Sequence, residues 1–417
     1  MRRAAFGFIF VSVLLNAISF GMIFPILPNL IRSFFGPANA ASTASAAQWQ
    51  SIFGATWGAM QFFSGPVLGM LSDRFGRRPV LLISTLGLTL DMLVMAFAPG
   101  VGWLLLGRVV SGLANFSVAG AYVADVSAPE QRAKNFGWMS AAGSTGFLVG
   151  PAAGGLLATH AVHFGAFGLD ALRTPFLVAA GLFGLNWLYG LLVLPESLPR
   201  ERRMAALNWA QANPVGSLSL LASHPDLLPL AGVNFLNQFA VQVMSNIFVL
   251  YVTLRFHWSL AYLGGVFVVV GLVQIAVQWL AVGPVVKRVG ERGAVIFGFC
   301  AIIVGFTIFG LSSSQVGFFV ALPIFELGGV AFPSLQGLLS RRVPAAEQGR
   351  LQGAVQSSGG IAAIAGPLVF PLSLAWALRH LPRLPGLPLL ISAGVLAIAL
   401  LLALRYARPA PAPIDAA

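Results

Sequence analysis

The sequence predicts an all-α membrane protein of twelve transmembrane helices, arranged as two six-helix bundles. Three observations predict it. The chain is too apolar and too poor in charge for a soluble domain. Its apolar residues fall into twelve runs of membrane-spanning length. Three short motifs of its first half return in its second half at nearly one offset.

The 417 residues are 58% hydrophobic and only 9% charged, with a mean hydropathy of +0.86. Soluble domains carry roughly 25% charged residues. Gly and Pro number 47 and 26, and both are more frequent in membrane helices than in soluble ones. A net charge of +12 would suit a nucleic-acid binder if it lay on a polar face. Here the arginines sit in short gaps between apolar runs, so topology accounts for them and no nucleic-acid partner is expected. The single Cys300 lies in an apolar stretch and is expected to be packing filler, with no disulfide framework.

About twenty apolar residues cross the hydrocarbon core. Such runs lie at about 6–31, 50–71, 79–98, 101–124, 135–158 and 174–194, then at 229–254, 260–283, 293–311, 316–340, 350–376 and 385–406. The first follows Arg2 and Arg3 and continues into Phe24-Pro25-Ile26-Leu27-Pro28. It is too long for a secretory h-region and reads as the first span. The seventh carries Asn234, Asn237, Gln238, Gln242 and Asn246. Amides facing lipid are costly unless paired or wetted, so this helix is expected to face a cavity.

Basic residues orient the chain. One set of gaps holds Arg2, Arg3, Arg74, Arg77, Arg78, Arg132, Lys134, Arg200, Arg202, Arg203, Lys287, Arg288, Arg292, Arg341, Arg342, Arg350, Arg405 and Arg408; the opposite set holds Arg32, Arg173, Arg255, Arg379 and Arg383. Both termini are therefore expected in the cytoplasm of a bacterial inner-membrane protein, which requires an even number of spans. The longest polar stretch includes Glu196, Arg200, Glu201, Asn208, Asn213 and Asp226. It divides the chain into a half at 1–194, a cytoplasmic linker at 195–228 and a half at 229–417.

The halves echo one another. Gly69-Met-Leu-Ser-Asp73-Arg74-Phe-Gly76-Arg77-Arg78 returns as Gly283-Pro-Val-Val-Lys287-Arg288-Val-Gly290-Glu291-Arg292. Gly150-Pro151 returns as Gly366-Pro367, and Glu130-Gln131-Arg132 as Glu347-Gln348 with Arg350. The first residues of the paired motifs lie 214 to 217 residues apart. Two parallel six-helix repeats are the architecture of the major facilitator superfamily.

The residues of these motifs have physical roles. Gly69 allows a close helix approach and Gly76 a tight turn. Asp73 can pair with a base or cap a helix N-terminus, while Arg74, Arg77 and Arg78 hold the loop at the cytoplasmic face. This segment resembles the superfamily's loop 2–3 signature, which implies a conformational latch, with Asp125 at the end of the fourth helix. Arg108 lies inside a membrane run, where a charge needs a partner or water; a snorkelling arginine is the alternative. It resembles the family's helix-four arginine, which implies a part in proton transfer. Gly146, Gly150, Pro151, Gly154 and Gly155 form a small-residue stripe fit for tight helix packing. The stripe resembles the helix-five signature of the superfamily's antiporters, which favours export over uptake.

The resemblance extends through Pro25-Ile-Leu-Pro28, Leu90-Asp91, Gly107-Arg108, Gly120-Ala-Tyr122, Arg255-Phe-His257-Trp258 and Leu351-Gln352-Gly353. Together these look like the bacterial tetracycline–proton antiporters from about residue 8 to 375. The resemblance implies titratable groups in helices one, eight and nine, where this chain has Asn16, Gln274 and Ile302. Proton coupling is therefore expected at Asp91 and Glu326 with Arg108, since a carboxyl away from water disfavours its charged form. The alternative for either acid is a hydrogen-bonded structural role. Candidates for the substrate cavity are Asn16, Phe20, Gln61, Asn234, Gln238, Gln242, Asn246, Gln274, Gln336 and Gln356. An amide-rich cavity poor in charge suits a neutral or amphipathic organic molecule.

The expected function is proton-coupled export of such a compound by alternating access. Uptake of a neutral metabolite, or movement of lipid amphiphiles between leaflets, remains an alternative. The partners expected are a small-molecule substrate, protons and the lipid bilayer, for a monomer. No nucleotide-binding loop, metal-ligand cluster or nucleophile constellation stands out, so no cofactor and no enzymatic activity are expected.

Overall fold

The computed structural model describes residues 2–407, apart from 115–117, 129–130, 165–166, 205–206, 208, 210–212, 215, 219, 221–223, 225–226 and 345–346. Glu130, Asn208, Asp226 and Arg408 lie outside the described residues. Twelve helical spans follow in order. α1 is Arg2–Ile23 continued by Leu27–Ser33, α2 is Ala40–Phe75 and α3 is Arg77–Phe97. α4 is Val101–Leu113 with Val118–Val126, α5 is Arg132–Leu157 and α6 is Thr174–Val193. α7 is Leu228–Phe256, α8 is Leu260–Leu280 and α9 is Val282–Leu311. α10 is Gln315–Leu327 with Ala331–Ser340, α11 is Gln348–His380 and α12 is Leu387–Tyr406. A short antiparallel hairpin, β1 (Val162–Phe164) and β2 (Phe167–Leu169), joins α5 to α6.

Among the described residues, ten spans are long and apolar enough to cross a membrane, and α2 and α5 are the two outside that set. Their hydropathy is lowered by small and hydroxylated residues, which let helix backbones pack closely. Apolar side chains also cover the outside of the protein: Leu192 is 85% exposed and Trp279 83%. A soluble protein would associate through such a surface; in a multi-pass membrane protein it meets lipid.

Several boundaries differ from the sequence expectation. α2 begins at Ala40 rather than near 50, because Asn39 caps it. Asn39 Oδ1 accepts the Ser42 N–H at 2.9 Å, and Ser42 Oγ accepts the Asn39 N–H at 3.1 Å. The reciprocal pair starts a helix in a segment too polar to register as apolar. Pro25 and Pro28 divide α1, and a 3-10 turn at Gly328–Val330 interrupts α10. α9 contains a non-helical break at Gly290, with φ 71° and ψ 171°. Cys300, expected as buried filler, is exposed.

Two compact units emerge. The first comprises Met1–Ala38, Thr56–Pro214 and Trp258–Val268; the second comprises Asn39–Ala55, Val215–His257 and Val269–Ala417. Within the first, α1 packs on α5 and α6, and α3 on α4 and α6. Phe8, Ile9, Val80, Leu81, Tyr122 and Leu194 form part of its core. Within the second, α7 packs on α11 and α12, and α9 on α10 and α12. Phe309 stacks on Phe318 in its core, with ring centroids 4.8 Å apart. Shifted by six helices, the first set of pairs becomes the second. The repeat seen in the motifs is thus also a repeat of packing.

Candidate functional site

The turn between α2 and α3 is built on Gly76, whose φ of 104° lies where a Cβ is strained. A Cβ there would also strike Glu196 Oε2. Glu196 Oε1 accepts the Arg77 N–H at 2.8 Å and Oε2 the Arg78 N–H at 3.4 Å. These are otherwise unpaired donors at the start of α3. Arg203 closes on Glu196 Oε2 at 3.4 Å. Arg77 is the hub of the cluster. It meets Asp73 Oδ1 at 2.6 Å and Asp125 Oδ2 at 3.0 Å, and Ser197 Oγ donates to the same Asp125 oxygen at 3.2 Å. Arg78 donates to the Leu191 carbonyl at 2.8 Å, and Arg74 lies over the Phe75 ring. Gly69 does not carry the close approach expected of it: a Cβ there meets nothing within 4 Å among the described residues. Sequence reasoning placed Glu196 only among the linker's polar residues. Its position directly after the end of α6 was the available signal.

The second repeat keeps this geometry with different chemistry. Gly290 supplies the positive φ, and Arg292 donates to the Leu404 carbonyl at 2.8 Å. The position of Arg77 is taken by Glu291, which pairs with Arg341 at 2.9 Å. The cross-link survives with its polarity inverted.

In the first unit, Arg108 and Asp91 are buried and joined, with Arg108 Nη2 at 2.9 Å from Asp91 Oδ2. Asp91 Oδ1 and Arg108 Nε have no hydrogen-bond partner among the described residues. Gly107 makes the approach possible, since a Cβ there would lie 2.5 Å from Asp91 Oδ1. The pair lines a cavity of about 90 Å³ together with Asn16, Phe20, Trp57, Gln61 and Ser111. Three of the predicted cavity residues therefore converge on two of the predicted coupling residues. The space is below the roughly 300 Å³ of a typical ligand pocket and suits about three waters.

The helix-five stripe faces α1. Cβ atoms added at Gly146 and Gly150 would lie 2.5 Å from Ala17 Cβ and from the Ile18 carbonyl oxygen. One at Gly154 would strike the backbone of Met22, and one at Gly155 would lie 2.5 Å from the Leu260 carbonyl oxygen. Pro151 Cδ lies against Gly21 in the same seam.

In the second unit, Glu326 is 8% exposed, two residues before the 3-10 interruption of α10. No hydrogen bond or ion pair reaches its carboxylate from the described residues. Ile302 of α9 packs on Gly328, two residues further along. The helix-nine position where the resemblance implies an acid therefore borders the α10 segment that carries one. The amides of α7 divide. Gln238 and Gln242 pack on Gly359 and Gly366 of α11, and Asn246 donates to the Gln242 carbonyl at 2.7 Å. Asn234 lines a separate cavity. Gln274 and Gln356 are exposed, and Gln336 Oε1 is buried without a partner among the described residues.

The chain is similar to known proteins. A family model described as Major Facilitator Superfamily matches residues 9–367 and 230–417. Tetracycline resistance protein, class C, from Escherichia coli is 38% identical over 360 residues, 86% of each chain. The class E protein, also from Escherichia coli, is 35% identical over 362 residues, 86% of this chain and 85% of that one. A crystal structure of the nucleoside transporter NupG superposes with a TM-score of 0.75 at 15% identity, covering 97% of this chain and 100% of that one.

Proposed function

This chain belongs to the Major Facilitator Superfamily, and on that premise we propose that it exports a small, drug-like organic compound in exchange for protons. Its transport cycle is alternating access, in which halves at 1–194 and 229–417 rock about the linker at 195–228. It resides in the inner membrane with both termini in the cytoplasm, a reading that the distribution of arginines supports. Relatives named for tetracycline resistance support an exported drug, and the Gly146–Gly155 stripe supports export over uptake.

The observation that carries the reading is the buried Asp91–Arg108 pair at the wall of the first unit's cavity. One oxygen of Asp91 is held by Arg108 and the other has no partner among the described residues. Protonation would neutralise the carboxylate and weaken its hold on the guanidinium. That is a local switch between two packings of α3 and α4, the kind of element a proton can bias. Glu326 supplies a second buried acid in the second unit. The turn at Gly76, with Asp73, Arg74, Arg77, Arg78 and Asp125, is the latch that this switch works against. The amide candidates Asn16 and Gln61, with Phe20, border the coupling pair on the substrate side.

Everted membrane vesicles energised to an acid interior test the proposal. Adding substrate should release protons from the lumen in the wild type, and an Asp91→Asn chain should not do so. Substrate-independent proton movement, or equal release by the variant, would refute it.

A further inference from the structure

α7, α10 and α11 of the second unit surround a cavity of about 360 Å³. That is the size of a small-molecule site, roughly 300–1,000 Å³. Leu228, Phe235, Leu339 and Leu351 give it an apolar wall, and Leu218 of the linker turn Gly216–Leu218 adds to it. None of the described residues lining it is charged, so an ion would lose hydration there and gain no counter-charge.

Two polar side chains interrupt this wall. Asn234 is 1% exposed and Ser358 is 8% exposed. Asn234 Oδ1 and Ser358 Oγ both lack a hydrogen-bond partner among the described residues. Buried polar atoms are nearly always paired, and each exception calls for an explanation. Asn234 Oδ1 can only accept, whereas the Ser358 hydroxyl can donate or accept. A bound molecule with one N–H or O–H group would satisfy the first, and a neighbouring polar atom the second.

We propose that this cavity binds a neutral, largely apolar organic molecule, held by a hydrogen bond from its N–H or O–H group to Asn234 Oδ1, with Ser358 as the second polar contact. The site differs in kind from the Asp91–Arg108 cavity, which is small and charged. Binding here stands whether or not protons drive transport.

The test uses the full chain in lipid nanodiscs, with empty nanodiscs as the blank. The probe is N-phenyl-1-naphthylamine, which is neutral and carries one N–H. Its control is 1-benzylnaphthalene, in which a methylene replaces that group. Saturable binding above the blank is expected, with the amine about tenfold tighter than the hydrocarbon, the effect of one buried hydrogen bond. Asn234→Leu should abolish that preference and leave hydrocarbon binding intact. Ala354→Phe, which fills the cavity, should remove saturable binding of both. Absence of saturable binding in the wild type would overturn the proposal, as would an unchanged preference in a monodisperse Asn234→Leu chain. If Asn234→Leu does not fold, the Ala354→Phe chain decides: retained saturable binding overturns the site, and lost binding in a monodisperse preparation supports it.

Discussion

Gly150→Ala isolates the seam between α1 and α5. The added Cβ would lie 2.5 Å from the Ile18 carbonyl oxygen and 2.8 Å from Gly21 Cα. The first contact falls short of the 3.4 Å at which ordinary contact begins by about 0.9 Å. Both neighbours are backbone atoms, so no side chain can turn aside and the helices themselves must separate. A gap of 0.5–1 Å forfeits about a quarter to a half of each dispersion contact, and overpacking of this kind costs about 1–3 kcal/mol. Gly143→Ala is the internal control. It lies on the same helix, its Cβ meets nothing within 4 Å, and Ala is the better helix former by up to about 1 kcal/mol. Thermal unfolding in detergent should show Gly150→Ala below the wild type and Gly143→Ala at or above it. Transport should fall with the first substitution alone, because α1 also carries Asn16 and Phe20 into the first unit's cavity. Equal stability of the two variants, within about 0.5 kcal/mol, would refute the packing argument.

Asp91→Asn should destabilise the first unit by about 3–5 kcal/mol, because it leaves a buried guanidinium without its anion; the yield of monodisperse protein reads this out. Asp91→Leu with Arg108→Met should recover most of that yield without restoring pH-driven transport. Glu326→Gln should reduce pH-driven export in everted vesicles while substrate exchange without a gradient persists; a full pH-driven rate in both Glu326→Gln and Asp91→Asn would remove these acids from coupling. Glu196→Ala frees the two N–H groups at the start of α3 and should cost about 0.5–2 kcal/mol, the worth of a helix cap, seen as faster limited proteolysis of the linker. Exchanging charges with Glu291→Arg and Arg341→Glu should leave activity near the wild type, and either change alone should cost no more than about 1 kcal/mol, since Arg341 is 69% exposed.

The twelve spans were legible because hydrophobic length is a global property that survives local irregularity. What apolar counting missed was local. The Asn39–Ser42 cap starts α2 in a polar segment, and hydropathy carries no record of a hydrogen bond. The convergence of Asn16, Gln61, Asp91 and Arg108 was legible only in part. Each residue was conspicuous as a polar group in an apolar run, but their meeting depends on Gly107 admitting Asp91, a contact set by helix rotation. The roles of Gln238 and Gln242 were not legible. Their partners are glycines more than a hundred residues away, and a small residue announces a close approach without naming what approaches. Glu196 was overlooked for the opposite reason. In a charged segment one carboxylate is unremarked until its acceptors are seen to match two adjacent backbone donors.

The paired turns show which interactions a repeat can conserve and which it can exchange. Arg78 to the Leu191 carbonyl and Arg292 to the Leu404 carbonyl are the same bond at the same length. Its acceptor is backbone, present whatever side chain stands at 191 or 404, so only the arginine must be kept. The positive φ at Gly76 and Gly290 is likewise a backbone demand that one residue type meets without strain. The bond from Arg77 to Asp125 depends on two side chains. Changing one partner turns attraction into repulsion, whereas changing both restores attraction with the signs reversed, as in Glu291 and Arg341. The inversion also changes the surroundings. Arg77 pairs with both Asp73 and Asp125, while Glu291 pairs with one exposed arginine among the described residues. The larger network therefore lies in the first repeat, where Glu196 joins the turn to the segment that follows α6.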